Sequence, residues 1–312
     1  MLGRPLVDLL LAEGARVRVL DIVRPKEYPV PTLNLDFRHC DMEDRDAIIG
    51  LLEGCEYVFH LAGAKGGTGI GRTRAADFLR ANLQPTLYLF KEICKSVSKI
   101  KRLLFVSSVG AYSGGESVFR EDRAWEGQPH QSDFYGGFSK RFGELMCKAY
   151  REQFGLDYVV VRPTNCFGPH DRFDAETGMV IPALIRRLED GERPLIFRGS
   201  PTAMRDFLYS KECARGMVLA MKRGRAGEIY NLGTGKPVNV LAVAEHLAFM
   251  YDTKVILEPS QDRSPSMRCM DMTKSGAELG FVPDCRLFDY LQETIDWYRA
   301  NKGKEKYDPF KS

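Results

Sequence analysis

No stretch of this 312-residue chain approaches the roughly 20 consecutive apolar residues of a membrane helix, and its first residues lack the basic, apolar and small segments of a secretory leader. A cytoplasmic protein without a membrane partner is therefore expected. Neither sign of charge is in excess: 45 Lys and Arg face 42 Asp and Glu, a formal +3. That is too small and too dispersed for a nucleic-acid partner, although small anionic ligands stay open. The eight cysteines (Cys40, Cys55, Cys94, Cys147, Cys166, Cys213, Cys269, Cys285) contain no C-x-x-C pair, and no histidines cluster at metal-ligand spacing. Reduced, mostly buried thiols and no metal are expected. Internal repeats and low-complexity tracts are absent too. What remains is a globular chain long enough for one or two domains.

What is there is an alternation of strand and helix patterns. A helix carrying Leu6, Val7, Leu9, Leu10 and Leu11 ends near Gly14, and V-R-V-L closes on Asp21. A loop with Pro25, Pro29 and Pro31 follows, then a strand at 37–40 and a helix over 43–52. The run C-E-Y-V-F-H-L-A-G-A reads as a strand buried on both faces and precedes G-G-T-G-I-G. Helix 75–96, strand R-L-L-F-V-S-S, helix 132–154 and strand D-Y-V-V-V-R continue the rhythm. Such alternation predicts a parallel sheet covered by helices on both faces, with ligands at the carboxyl ends of the strands. A chain that opens on the helix before such a strand lacks the strand expected ahead of it. After Pro163 the spacing loosens: helices at 180–189, 211–222, 240–251 and 287–301, the last with Trp297 facing inward, alternate with short strands. A smaller second domain is expected there, with a frayed tail after Gly303.

Several residues fall where such a sheet does chemistry. Asp21 ends a strand, where a carboxylate accepts hydrogen bonds from ribose hydroxyls and repels a 2′-phosphate; a solvated turn carboxylate is the rival reading. Gly3 permits close helix–strand packing or simply starts a helix. The run His60 to Ala64 lets a ligand pass close to bare backbone, and G-G-T-G-I-G either wraps an anion or is a plain loop. Ser107 and Ser108 end a buried strand, so a hydroxyl there would point into the ligand crevice, the rival reading being serines that merely terminate the strand. In D-F-Y-G-G-F-S-K-R-F-G-E-L, Lys140 would lower a nearby phenol pKa from its usual value of about 10. The nearest phenol, Tyr135, is five residues away, and Gly136 stands four before the lysine. Asn165, in R-P-T-N-C-F-G-P-H-D-R-F, would orient substrate or backbone. Arg205 and Arg268 would grip a diphosphate in a planar fork, unless Arg205 pairs with Asp206 or Glu212 and Arg268 with Asp271.

Together M-L-G-R-P-L-V, V-R-V-L-D, C-D-M, V-F-H-L-A-G-A, F-V-S-S, G-F-S-K, R-P-T-N-C-F-G-P, R-D-F-L-Y, Y-N-L-G-T-G and L-G-F-V-P resemble, in order and spacing, the extended short-chain dehydrogenase/reductase family. The resemblance is to its NAD-dependent nucleotide-sugar epimerase/dehydratase group and spans the chain. It implies a Rossmann-type doubly wound parallel sheet, apparently lacking its first strand. Residues 1–165 would bind NAD and 166–312 mainly the substrate, with the segment near 228–240 free to return to the first domain. On matching positions Ser108 and Lys140 would do the chemistry, with Tyr135 reaching in from the position beside Gly136. Gly3, Asp21, Asp41 and Met42, then Leu61, Ala62, Gly63 and Lys140, would hold NAD; Lys65, Asn165, Arg205 and Arg268 would hold a nucleoside-diphosphate sugar. The implied reaction is epimerisation through transient oxidation of a sugar carbon and hydride return, in a homodimer built through the helices starting near 75 and 132.

Three departures from the family pattern bear on activity. Gly136 stands where the family has tyrosine. The first strand and the first two fingerprint glycines are missing. Val109 and Gly110 replace the Asp-Glu pair of sugar 4,6-dehydratases, which argues against dehydration. G-A-K-G-G and V-I-P-A-L are similar to the GDP-fucose synthase and GDP-mannose 3,5-epimerase branch. However, Met179 replaces the histidine of fucose synthases and no cysteine follows Ser108, so a 4-epimerase, or a reductase or dehydrogenase, fits equally. A non-catalytic nucleotide-binding relative is the other alternative.

Overall fold

The computed structural model describes residues 1–23, 33–65, 73–96, 99–175, 178–259 and 266–303. Helix α1 (Gly3–Ala12) leads into β1 (Val17–Asp21), which pairs in parallel with β2 (Leu35–His39), Val17 opposite Leu35. Next come β3 (Tyr57–His60), α2 (Ala75–Ser96), β4 (Arg102–Val106), β5 (Val118–Phe119), α3 (Phe134–Phe154) and β6 (Tyr158–Pro163). After them run β7 (Asn165–Phe167), α4 (Val180–Glu189), β8 (Leu195–Phe197), β9 (Met204–Arg205), β10 (Phe207–Tyr209) and α5 (Ser210–Arg223). The chain closes with β11 (Ile229–Leu232), β12 (Val238–Asn239), α6 (Val240–Met250), β13 (Val255–Leu257), β14 (Met267–Met270) and α7 (Leu287–Asn301).

Strands β11, β6, β4 and β3 lie side by side in that order and all run parallel. Alternation explains how continuous apolar runs serve two faces at once. Leu104, Val106, Val159 and Val161 pack with Leu6 of α1 and Met217 and Val218 of α5, while Leu103, Phe105, Tyr158 and Val160 pack with Leu89, Phe90 and Ile93 of α2 and Cys147 of α3. The sheet is thus helix-covered on both sides, a Rossmann-type arrangement. Strand β11 joins it beside β6, as the run around Tyr230 allowed. The β1–β2 pair is a separate parallel sheet, not hydrogen-bonded to the other four strands.

Two sequence expectations need correction. The helix over 43–52 is only a 3-10 turn, Asp46–Ile48. Asp41 and Asp44 each accept a backbone N–H two residues on, from Glu43 and Asp46, competing with helical bonds, and Gly50 then turns to φ +75°. Strand β3 is not buried on both faces, because it lies at the end of the four-stranded sheet and leaves Tyr57 exposed.

The second half packs α4, α6 and α7 around β8 and β10, with Leu184, Leu188, Leu195, Phe207, Leu247 and Leu291 at the centre. Trp297 is half-buried there, its ring against His170 and Phe173. Strand β14 is central to a four-strand ribbon, parallel to both β5 and β9, with β12 antiparallel to β9. It therefore ties the connection after β4 to the end of the chain. All eight cysteines are free, five of them buried. Among the described residues no helix is long and apolar enough to cross a membrane, and no group of His, Cys, Asp or Glu is arranged to hold a metal ion. The proline loop around 25–31, the glycine run at 66–71 and the tail from 304 onward lie outside the described residues.

Candidate active site

The carboxyl ends of β3, β4 and β6 open toward the start of α3, and the two faces of that helix differ. Asp133 at its N-cap, then Gly136, Lys140 and Glu144, recur at steps of three and four and so share one side. Lys140 Nζ donates to the Val106 carbonyl at 3.1 Å and lies 5.6 Å from the Phe105 ring centroid. Burial pushes its pKa down to about 8, with the Glu144 carboxylate pulling the other way. Tyr135, Phe138 and Leu145 share the outward side, where all three are exposed. The Tyr135 ring packs edge-on against Phe134 at 5.4 Å. Five residues correspond to about 140° around a helix, so the structure does not bring Tyr135 and Lys140 together.

A side chain at Gly136 would need the Phe78 ring to give way by a few tenths of an ångström. A Cβ there would lie 3.0 Å from Phe78 Cε1, because the α2 ring covers this side of the helix. Gly136→Tyr alone is therefore expected to lower the melting temperature and raise no activity. Gly136→Tyr combined with Phe78→Ala, which removes the ring, should recover that stability in thermal unfolding.

Ser107 and Ser108 separate into two roles. Ser107 is buried and donates to Glu144 Oε1 at 2.5 Å. Glu144 in turn holds Arg162 through two bonds, Nε to Oε1 at 2.8 Å and NH2 to Oε2 at 2.7 Å, with both side chains almost wholly out of solvent. Burial works against the charge on Arg162, but the hydrogen bonds with Glu144 outweigh it and raise the guanidinium pKa. Arg162 NH1 also donates to Tyr112 Oη at 3.1 Å and to the Glu121 carbonyl at 2.9 Å, and Tyr112 donates to Asn231 Oδ1 at 2.6 Å. Ser108 is half-buried. Its Oγ accepts from Gly110 N at 3.1 Å, which caps a short turn and leaves the hydroxyl hydrogen free to point at a ligand.

His60 ends β3, buried and within reach of the Lys140 charge. Its Nε2 lies 2.9 Å from Thr86 Oγ1, which donates to the Asn82 carbonyl at 3.2 Å. Burial, and then the charge of Lys140, push its pKa down to about 3. The unfolded chain takes up this proton near pH 6.5 and the folded chain only near 3. Stability from this group is therefore complete above 6.5 and declines as the pH falls toward 3. Urea unfolding across that window should show the loss, and His60→Gln should flatten it.

The other candidates are spread more widely. Asp21 sits exposed at the end of β1, its Oδ1 accepting from Val23 N at 2.9 Å, and Asp41 does the same for Glu43 N at 2.8 Å. Met42 packs beside the apolar cluster of Val58 and Leu89, and Leu61 beside that of Leu104. Gly3 is the first residue of α1, and Ala62 and Gly63 follow β3. Lys65 bonds both carboxyl oxygens of buried Asp171, at 2.7 and 3.0 Å, and the Cys166 carbonyl at 3.3 Å, so it clamps two loops. Asn165 Nδ2 donates to the Asp206 carbonyl at 3.0 Å, which is backbone orientation. Arg205 and Arg268 are register partners on β9 and β14. Arg268 pairs not with Asp271 but with Asp133, NH2 to Oδ2 at 2.7 Å.

Sequence reasoning assigned no role to Glu144, Arg162 or Asp133, and read His60 only as the start of a run that lets a ligand pass. Asp133 and Glu144 carried a signal, since they lie seven before and four after Lys140 on the same helical stripe. The partners of Arg162 carried none.

The sequence profile of the NAD dependent epimerase/dehydratase family matches residues 1–233. Over 252 residues the chain is 30% identical to a probable GDP-L-fucose synthase 1 of Oryza sativa subsp. japonica, spanning 78% of this chain and 76% of that protein. The solved UDP-glucose 4-epimerase of Thermotoga maritima with UDP-glucose superposes with a TM-score of 0.82 at 26% identity, covering 96% of each chain. The dTDP-glucose 4,6-dehydratase of Streptomyces venezuelae, solved with NAD, gives 0.82 at 25% identity, covering 99% of this chain and 97% of that one. The parallel sheet, the buried lysine at its carboxyl edge and a family match running through both put one conclusion beyond the fold: the chain belongs to the NAD dependent epimerase/dehydratase family.

Proposed function

We propose that the chain is an NAD-dependent nucleotide-sugar epimerase, binding the cofactor on residues 1–165 and the substrate mainly on 166–312. The observation that carries this reading is the pair of arginines, Arg205 and Arg268, in register on adjacent strands. Two planar forks side by side suit a diphosphate, and Arg268 reaches the start of the helix that carries Lys140.

The cofactor end fits the residues present. A Cβ on Gly63 would lie 2.6 Å from Asn82 Oδ1 and 3.6 Å from Lys140 Nζ, so bare backbone passes the lysine there, at a φ of +150° that suits glycine. In this reading Asp21 takes the adenosine ribose, Asp41 and Met42 the adenine side, and Lys140 the nicotinamide ribose. NAD supplies reversible acceptance of hydride. Ser108 donates a hydrogen bond to the sugar oxygen, and the ammonium of Lys140 stabilises negative charge developing beside it.

The test is NADH formation, and epimer analysis, with a panel of UDP- and GDP-hexoses. Failure of every substrate sinks the proposal, whereas net consumption of NADH with a keto-sugar would favour a reductase. Gly136 under the Phe78 ring supports a second reading, a relative that binds nucleotide without turnover. Turnover abolished by Lys140→Met would exclude it. The outward side of α3, with Leu87 of α2, exposes Phe138 and Leu145 and suits a homodimer built through these two helices. Light scattering should then find the wild-type chain dimeric and Leu145→Glu monomeric.

A further inference from the structure

We propose that Asp133 takes and returns the hydroxyl proton of the substrate sugar, and that Arg268 holds it out of service until the substrate diphosphate claims that guanidinium. The inference rests on the nucleotide-sugar reading above and assigns it an acid/base, which the glycine at 136 leaves open.

Four observations converge on Asp133. It lies three residues before Gly136 and seven before Lys140, on the side of α3 that faces the crevice. It also flanks Ser108 across Gly110: the point where a Cβ on Gly110 would sit is 3.6 Å from both the Asp133 carboxyl carbon and Ser108 Oγ. One carboxyl oxygen, Oδ2, is engaged by Arg268 NH2 at 2.7 Å and by Ser132 Oγ at 3.0 Å. Among the described residues the other oxygen takes no hydrogen bond, and the side chain is 31% exposed. The hydroxyl donor and a carboxylate with a free oxygen therefore border the same part of the crevice.

Arg268 supplies the switch. Its guanidinium is buried, its NH2 also donates to Ser132 Oγ at 3.2 Å, and its Nε has no partner among the described residues. Arg205 stands opposite it in register. Asp133 brings a single negative charge to this pair of arginines. A diphosphate brings more charge and enough oxygens for both forks, so it competes favourably for Arg268. Once released, Asp133 keeps Ser132 as its neighbour and turns its carboxylate to the sugar.

The chemistry balances. Bound NAD would supply reversible acceptance of the hydride from the hydroxyl-bearing carbon; the Asp133 carboxylate would take the hydroxyl proton as the ketone forms and return it to the oxygen when the hydride is restored.

Asp133→Asn tests this in the full chain, because the amide oxygen still accepts from Arg268 and Ser132. NADH formation with a nucleotide sugar that the wild type oxidises should fall about a hundredfold or more. Affinity for UDP or GDP alone, measured by calorimetry, should rise severalfold, because the competing charge has gone. Opposite movements of binding and turnover are not what a scaffolding residue produces. NADH formation within about threefold of wild type would overturn the inference, and so would binding and turnover falling together. Asp133→Glu, which keeps the charge, should hold nucleotide affinity near wild type and recover part of the turnover. A wild-type chain that neither forms NADH with nor epimerises any nucleotide sugar would remove the functional reading and this inference with it; activity retained by the Asn variant would remove this inference alone.

Discussion

Arg162→Met should lower the unfolding free energy by about 3–5 kcal/mol, enough to unfold much of the population of a marginally stable domain. The substitution leaves Glu144 buried on α3 with only Ser107 Oγ directly bonded to it. Lys140, one turn earlier, also feels its charge but would have to leave the Val106 carbonyl to pair with it. Arg162 also gathers the Glu121 carbonyl and, through Tyr112, Asn231, whose amide bonds the Phe119 and Asp271 carbonyls. One guanidinium thus joins β6, α3, the connection after β4 and the residue following β14. The penalty comes from the orphaned carboxylate more than from the lost attraction, so Glu144→Leu together with Arg162→Met should cost clearly less than Arg162→Met alone. Urea titrations of the three variants check this, and equal losses in the single and double variants would refute it.

That network marks where the sequence stops being informative. Strands β4 and β6 and helices α2, α4 and α7 were legible because their apolar residues repeat at periods of two or near 3.6 over enough positions to register. Lys140 and Ser108 were legible because each sits at a fixed place relative to such an element. Strands β5, β9, β12 and β14 were not. They are two to four residues long, too short for any period, and exist because β14 pairs with segments some 60 and 150 positions away. The helix expected over 43–52 gives way locally, to side-chain turns at Asp41 and Asp44 and to Gly50 at positive φ. Tyr135 drew attention by residue type and proximity in sequence, whereas helical phase decides which side chains meet. By phase Asp133 was the better candidate, but its ion pair with Arg268 spans 135 positions and no spacing rule reaches that far.

Lys140→Met should abolish turnover while making the protein more stable near neutral pH, and the two effects share one cause. The folded chain holds this lysine at a pKa of about 8 against 10.5 for the ordinary side chain. Below pH 8 the charged amine is carried in both states, and its burial costs stability. Between 8 and 10.5 the unfolded chain binds the proton that the folded chain has released, so stability rises with pH across that window. Activity should run the other way, because in the proposed reaction it is the ammonium, not the amine, that stabilises charge developing at the substrate oxygen; turnover of the wild type should fall as the pH passes 8. Methionine keeps much of the length and removes the charge. The variant should therefore lose the stability rise above pH 8 along with the activity, while His60, no longer beside a cation, takes up its proton at a higher pH than in the wild type. Parallel pH series of urea unfolding and NADH formation test the pair of slopes together. If stability and turnover moved in the same direction through pH 8, the buried lysine would not be the group that titrates in catalysis.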